Sequence, residues 1–435
     1  MSAPPPGAPT FLLRAYRAAM AALQPLAFRV VARKLRRHGV DEARIRERLG
    51  HATLPRPEGD VVWFHGASVG ESLAMLSLID AMLARRPDLS VLVTSGTATS
   101  AEVMARRLPP RARHQFAPLD TPAAVTRFLD HWRPRAGLFV ESELWPNMLM
   151  MARARGVRLA LVNARLSRKS IEGWSRYPGT ARTVLGQFDL IVTQNRDGAT
   201  DLARMGAPGD RLRAGVNLKS FAARLPADAA LLEGLRHAIG TRPLWVASST
   251  HDGEEDAILD AHLGILRRHP EALLILAPRH PDRAGAVEGL IRARGLTAAR
   301  RGVGALPGPE TQVYLADTLG EMGLWYALSP IVFLGGSLRE VGGHNPYEPA
   351  LFGAAIASGP HVANFSETYD AMARLGAVAI LGDATAIAAQ VTRWLQDDAA
   401  RAKAGEAARA FADRGQAALE GLVDDLVATL LAGPA

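Results

Sequence analysis

Cysteine is absent from the 435 residues. That excludes disulfides, thiolate zinc sites, iron–sulfur clusters and cysteine nucleophiles together. Aromatic residues are scarce, at 6%, and no basic run is interleaved with them, so a nucleic-acid surface built on base stacking is not expected. The sequence has no G-x-x-x-x-G-K-[ST] phosphate loop and no H-E-x-x-H pair. Its twelve histidines are scattered, so no metal site is predicted. No short repeat of fixed period occurs.

What is present describes an ordinary folded chain, with 48% hydrophobic and 22% charged residues. The length suits two or three domains with full cores. A net charge of +8 points to an anionic partner, and phospholipid or a phosphorylated substrate fits better than nucleic acid. Residues 1–10 are proline-rich and predicted to be disordered. Residues 11–40 carry Leu12, Leu13, Leu23, Leu26, Phe28, Val30 and Val31 among Arg14, Arg17, Arg29, Arg33, Lys34, Arg36 and Arg37. The arginines break any span of about 20 apolar residues, and a secretory signal would need a cleaner apolar middle. A basic amphipathic helix in a lipid headgroup layer and a solvated helix packed on its own domain both fit this stretch.

From Val61 onward, strand, turn and helix alternate. Apolar runs at 61–64, 90–94, 137–140, 158–162 and 190–193 read as strands, with helices near 99–107, 121–131, 145–155 and 196–205. Glycine, proline and charge at 206–215 read as a linker. The pattern then restarts, with strands at 244–247, 272–277, 311–315, 331–334 and 354–357. Helices are expected near 253–268, 283–294, 321–327, 346–352, 384–396 and 406–412. The predicted fold class is α/β: two doubly wound, Rossmann-like domains facing each other across a cleft, residues 41–215 and 216–435. Ligands of such sheets bind beyond the carboxyl ends of the strands, where the unusual residues lie.

The first such place is Gly66-Ala67-Ser68-Val69-Gly70-Glu71, a glycine-rich turn that opens a helix and delivers a carboxylate; Glu71 can take a proton there, or only complement the helix dipole. Glu141-Ser142-Glu143-Leu144-Trp145-Pro146-Asn147 puts two acids at a strand end, where N-capping by Ser142 or Glu143 explains one acid better than two. Lys219 sits where the first domain hands over to the second. Pro278-Arg279-His280-Pro281 offers a stiffened cation for phosphate. Asp317-Thr318-Leu319-Gly320-Glu321 reads as a helix start that can cap an anion, or be capped by Asp317 or Thr318. Two glycine pairs, Gly335-Gly336 and Gly342-Gly343, bracket a loop that leads through His344 to Asn345-Pro346-Tyr347-Glu348, with Glu348 suited to ribose hydroxyls.

Taken with Asn163-Ala164-Arg165-Leu166-Ser167, these motifs stand in the order that resembles the 3-deoxy-D-manno-octulosonic acid (Kdo) transferases. The resemblance implies a GT-B glycosyltransferase that moves Kdo from CMP-Kdo to the lipid A precursor with inversion, in lipopolysaccharide biosynthesis. It implies no cofactor, no metal, and a place on the cytoplasmic face of the inner membrane, held peripherally or by the N-terminus. By motif, Glu71 is the proton acceptor, and Glu141 and Lys219 stabilise the transition state. Pro278, Arg279, Leu319, Gly320, Glu321, Asn345, Pro346, Tyr347 and Glu348 hold CMP. The sequence departs from the family at the hinge, where Val216 intervenes and Ser220-Phe221 follow Lys219, and at Tyr347, often aliphatic in relatives. Another GT-B nucleotide-sugar enzyme, such as an N-acetylglucosaminyltransferase or an epimerase, shares the glycine loop and the ribose glutamate. A catalytically dead lipid-binding relative is the non-enzyme alternative.

Overall fold

The computed structural model describes residues 9–215, 217–218 and 224–433. The chain divides into two compact units, residues 1–218 with 417–435, and residues 219–416. The described residues of each hold a seven-stranded sheet in which every pairing is parallel.

In the first unit the strands are β1 (Val61–His65), β2 (Ser90–Ser95), β3 (Ala112–Phe116), β4 (Ala136–Val140), β5 (Arg158–Ala164), β6 (Leu190–Thr193) and β7 (Leu212–Ala214). They lie side by side in the order β3-β2-β1-β4-β5-β6-β7. In the second unit they are β8 (Leu244–Thr250), β9 (Leu273–Pro278), β10 (Ala298–Arg300), β11 (Val313–Leu315), β12 (Ile331–Leu334), β13 (Ala355–Ser358) and β14 (Val378–Ile380), in the order β10-β11-β9-β8-β12-β13-β14. The winding reverses between β1 and β4 in one sheet and between β8 and β12 in the other. A reversal leaves a crevice at the carboxyl ends of the two strands that flank it, where doubly wound folds take their ligands.

The central strands are continuous apolar runs because helices cover both faces. Every residue of β1 and of β4 is buried, and Trp63 packs on Phe128 and Phe139 at ring-centroid distances of 4.8 and 5.0 Å. Side-chain caps set several helix starts: Thr97 accepts from Ser100 N–H, Asn195 from Gly198 N–H and Asp383 from Ala386 N–H. The segment read as a linker at 206–215 instead contains β7, a three-residue edge strand with Arg213 at its middle. The helix expected at 406–412 runs over Asp398–Leu430. Its last part belongs to the first unit, where Arg135 donates to the Leu431 carbonyl (2.8 Å) and Arg85 pairs with Asp424 (2.9 Å).

The N-terminal helix, Phe11–Arg37, is capped by Thr10 and packs one side on the first unit. Leu13, Ala32 and Leu35 are buried there, and the Tyr16 hydroxyl donates to Asp120 (2.8 Å). The packed side agrees with the reading of a helix packed on its own domain, and on its other side Leu12, Leu23, Leu26 and Val30 remain exposed. Leu23, Leu26 and Val30 are spaced by three and four residues, and Leu12 lies eleven residues before Leu23, about three helical turns, so the four share one stripe.

Two buried histidines make the fold acid-sensitive. His114 accepts from Arg44 at Nδ1 (2.8 Å) and faces Ser95 through Nε2 (2.9 Å); burial, with help from Arg44, lowers its pKa to about 3. His262 accepts from the Trp245 indole (3.2 Å) and donates to the Gln312 carbonyl (2.9 Å), and burial lowers its pKa to about 4. Between pH 6.5 and these values the unfolded chain binds protons that the fold refuses, so stability falls with pH by about 1.4 kcal/mol per unit for each histidine. Glu47 and Asp120, whose carboxyls burial raises, oppose this towards the acid end. The expected result is a urea midpoint that drops from pH 6.5 to 4.5 less steeply in His262→Gln than in the wild type; parallel profiles would contradict it.

Candidate active site

At the reversal of the first sheet, the chain leaves β1 through His65 and Gly66. Ser68 accepts from Glu71 N–H (3.2 Å), while Glu71 Oε2 accepts from the N–H groups of Ala67 (2.5 Å) and Ser68 (3.3 Å), a reciprocal capping box. A Cβ on residue 66 would lie 3.0 Å from Glu71 Cβ, so glycine there lets the carboxylate fold over the turn. Glu71 is thus buried, pinned through one oxygen, and helps to hold the first turn of its helix.

Across the reversal, β4 is followed directly by Glu141, whose φ of 60° is left-handed. That conformation costs a non-glycine residue about 1–3 kcal/mol and persists where the surroundings over-determine it. Glu141 N–H donates to Val162 O (3.0 Å), and Glu141 Oε1 accepts from the Asn163 side-chain amide (3.4 Å). Asn163, itself at φ 55°, accepts from Leu218 N–H (3.0 Å). It therefore joins Glu141 to the residue preceding Lys219, which itself lies outside the described residues, as do Val216, Ser220 and Phe221.

Glu143, the second acid of the motif, is not an N-cap, and neither is Ser142. Its Oε2 contacts His65 Nε2 (3.1 Å) and accepts from the Trp145 indole, while His65 Nδ1 faces Thr94 Oγ1 (2.9 Å). Burial works to raise the Glu143 pKa, but the hydrogen bond and charge of His65, with the indole, outweigh it and hold the carboxyl below its usual range. The helix Pro146–Ala154 is capped from afar, by Asp120 accepting from Asn147 N–H (3.2 Å) and Met148 N–H (2.7 Å).

At the reversal of the second sheet, Glu254 is wholly buried. Its two oxygens accept from the N–H groups of His251 (2.8 Å), Gly336 (2.7 Å), Ser337 (2.8 Å) and Leu338 (2.7 Å). This one carboxylate ties the loop after β8 to the glycine loop after β12. Close packing explains the glycines. A Cβ at Gly335 would meet the Ser249 carbonyl at 2.8 Å, and one at Gly336 would meet the His344 ring at 2.9 Å. His344 stacks on His251 with Nε2 atoms 3.0 Å apart; burial, then the neighbouring His251 and Arg279, lower its pKa to about 4.

The remaining predicted residues lie at or after the ends of β9, β11 and β12 of the second unit, in different states. Pro278 ends β9, and Arg279 N–H donates to Thr250 O (2.9 Å) while its side chain stays exposed. Leu319 is 81% exposed, and Gly320 takes φ 83°. The Glu321 carboxylate is already engaged by Arg301 in a two-pronged pair (2.7 and 3.1 Å), which lowers its pKa. Asp317 pairs with Arg300 (2.5 Å) and accepts from Gly302 N–H (2.6 Å), so it does not cap the helix Met322–Leu328. Asn345 accepts from Tyr347 N–H (3.0 Å) after Pro346, the Tyr347 ring is buried against Phe411, and Glu348 is half-buried in the same turn.

Residues 43–222 match the family model described as 3-deoxy-D-manno-octulosonic-acid transferase (kdotransferase). The chain is 35% identical over 411 residues to the 3-deoxy-D-manno-octulosonic acid transferase of Bordetella pertussis, covering 91% of this chain and 94% of that protein. The chain belongs to the 3-deoxy-D-manno-octulosonic acid transferase family. The protein of the same description from Haemophilus influenzae is 32% identical, covering 88% of this chain and 92% of its own. A crystal structure of a glycosyltransferase from Rickettsia africae matches with a TM-score of 0.52 at 11% identity, covering 87% of this chain and all of that one. That likeness concerns the fold alone, and it agrees with the two Rossmann-like units of a GT-B transferase. Being a member of this family, the chain is a glycosyltransferase.

Within the transferase, several residues that hold the two crevices were not singled out from the sequence. They are His65, Thr94 and Asp120 in the first unit and His251 and Glu254 in the second. The last two had a usable signal in Ser248-Ser249-Thr250-His251-Asp252-Gly253-Glu254-Glu255, a polar run that begins in the last residues of an otherwise apolar strand. Ser249 there takes φ 54°, one of four left-handed non-glycine residues among those described.

Proposed function

We propose that this transferase moves Kdo from CMP-Kdo to the lipid A precursor, with inversion at the anomeric carbon. The observation that carries the reading is the placement of the family's motifs at the chain reversals of both sheets. Glu71, Glu141 and Asn163 lie at one, and the Glu254-pinned glycine loop with Asn345 and Glu348 lies at the other. Glu71 takes the proton from the acceptor hydroxyl as its oxygen attacks the anomeric carbon. The bond from that carbon to the CMP phosphate oxygen breaks, and CMP leaves as an anion. Cations stabilise that departure, a role assigned to Arg279 and Lys219, while Glu141 steadies the charge that develops on the sugar.

The first unit takes the acceptor and the second takes the nucleotide. Pro278, Arg279, Leu319, Gly320, Asn345, Pro346, Tyr347 and Glu348 line the nucleotide half, with Tyr347 contributing backbone because its ring is buried. Glu321 holds Arg301 in place and meets the nucleotide through its backbone. Titration calorimetry tests this half: CMP binds and UDP binds at least tenfold more weakly. Arg279→Ala, losing a charge-assisted hydrogen bond worth about 1.5–3 kcal/mol, weakens CMP by at least tenfold. Equal binding of CMP and UDP would favour another nucleotide-sugar enzyme.

The transferase works at the cytoplasmic face of the inner membrane, held by the exposed stripe of Phe11–Arg37. No helix among the described residues is long and apolar enough to cross a membrane. The stripe ends in the helix's basic last turn, Lys34, Arg36 and Arg37, suited to anionic headgroups at about 1 kcal/mol for each cation. Exchanging Arg29, Arg33, Lys34 and Arg37 for glutamine, and sparing Arg36 for its pair with Glu42, should release the protein from anionic vesicles. Turnover on detergent-dispersed acceptor should stay within twofold. Undiminished vesicle binding would place the contact elsewhere.

A further inference from the structure

The ends of β1 and β4 are joined by more than the sheet. His65 is the last residue of β1 and is paired in register with Phe139 of β4. Two residues beyond Glu141, Glu143 folds back to meet His65 Nε2 at 3.1 Å, with both side chains almost fully buried. The same carboxylate oxygen accepts the indole N–H of Trp145. On the other side of the imidazole, Thr94 Oγ1 contacts Nδ1 at 2.9 Å and accepts from the Trp63 indole at 2.7 Å, so the ring cannot rotate without breaking contacts on both sides.

We propose that His65, Glu143 and Trp145 form a strut, buried at His65 and Glu143 and reaching the surface at Trp145, that positions the Glu141 loop against the turn carrying Glu71, and that His65 and Glu143 are positioning residues of the transfer reaction. Three features point the same way. Glu141 sits in a left-handed conformation that its own backbone does not favour, so something beyond the strand must hold it. Glu143 caps no helix, which leaves the buried pair without a secondary-structure role. The turn that follows His65 folds Glu71 so close over Gly66 that a Cβ there would lie 3.0 Å from Glu71 Cβ, so a shift of the His65 end carries over to that carboxylate. None of the three residues need touch substrate.

This inference rests on the proposed roles of Glu71 and Glu141, and the test separates the two ideas. Misplacing reacting groups by about 1 Å can cost 10²-fold in rate. Glu143→Ala and His65→Ala should each lower kcat by about 10–10² fold, with the KM for donor within twofold, because the nucleotide half belongs to the other unit. The double variant should be no worse than the poorer single one. Glu143→Gln, whose carbonyl oxygen can accept from both His65 and Trp145, should restore kcat to within about threefold of wild type, which a catalytic charge would not allow. Alanine at a buried pair can cost the fold, so Trp145→Phe gives a second handle. It removes one hydrogen-bond donor from the strut, keeps an aromatic ring, and should lower kcat about threefold at unchanged donor KM. Wild-type kcat in folded Glu143→Ala would overturn the strut, and so would a loss in Glu143→Gln as deep as in alanine. A wild-type enzyme that turns over no Kdo donor at all would instead overturn the function on which the strut depends.

Discussion

Replacing Glu71 by glutamine is expected to lower turnover by about 10²–10⁴ fold, the usual worth of a general base, while leaving CMP affinity and the melting temperature near wild type. The structure makes this variant sharper than most. Glu71 is the third residue of its helix and closes a capping box with Ser68, and glutamine fills that position as well as glutamate does. The amide oxygen still accepts from Ala67 N–H, so the helix start survives and only the basic carboxylate is lost. Glu71→Ala would confound the two roles, since it also removes the cap. If Glu71→Gln turns over near normally, the carboxylate is a helix cap and the acid–base assignment falls.

The second large effect is expected at Glu254, a residue that touches no reacting group. Glu254→Ala would strand four backbone N–H groups that a single buried carboxylate now satisfies. Each unsatisfied buried donor costs about 1–3 kcal/mol, so even partial relaxation should remove several kcal/mol from the second unit. Glutamine is no substitute, because its amide would turn donors towards donors. Both variants should lose CMP binding, since the His251 loop and the glycine loop would no longer be tied together, and unfolding should begin at lower urea. Calorimetry and a urea titration read both effects; a Glu254→Ala protein with wild-type midpoint and CMP affinity would contradict the account of this loop.

These two positions show what can be read along the chain. The central strands were legible because helices on both faces make them continuous apolar runs, as in Val61–His65 and Ile331–Leu334. The four strands that escaped, β3, β7, β10 and β14, are the outer strands of the two sheets. Such strands are short or charged, as in Ala112-Arg113-His114-Gln115-Phe116, which keeps free edges from pairing with other chains and also erases the periodic signal. The Asp398–Leu430 helix was cut short for a related reason. Its buried face begins with alanines, Ala404, Ala408 and Ala412, before Leu419, Leu422, Val423 and Leu426, so the apolar stripe is faint at the start.

The candidate site was legible where the residues form compact motifs, as at Gly66–Glu71 and Gly335–Glu348. Asp120 capping a helix that starts 26 residues later, Glu143 reaching back to His65, and Glu254 holding residues 336–338 are contacts between segments distant in the chain. Each involves a polar residue whose partner only the fold reveals. The strained φ values of Glu141 and Asn163 leave no compositional mark at all.

The most direct test of the central claim is the turnover of purified protein given CMP-Kdo and lipid A precursor in detergent. Product mass and CMP release are followed together, and anomeric configuration is read from the product. The account predicts one CMP released for each Kdo added to the lipid, an inverted anomeric centre, and no transfer from a UDP-sugar. Stoichiometric transfer with retained configuration would contradict the single-displacement mechanism built on Glu71. Absence of any Kdo-lipid product from folded, CMP-binding protein would contradict the function itself.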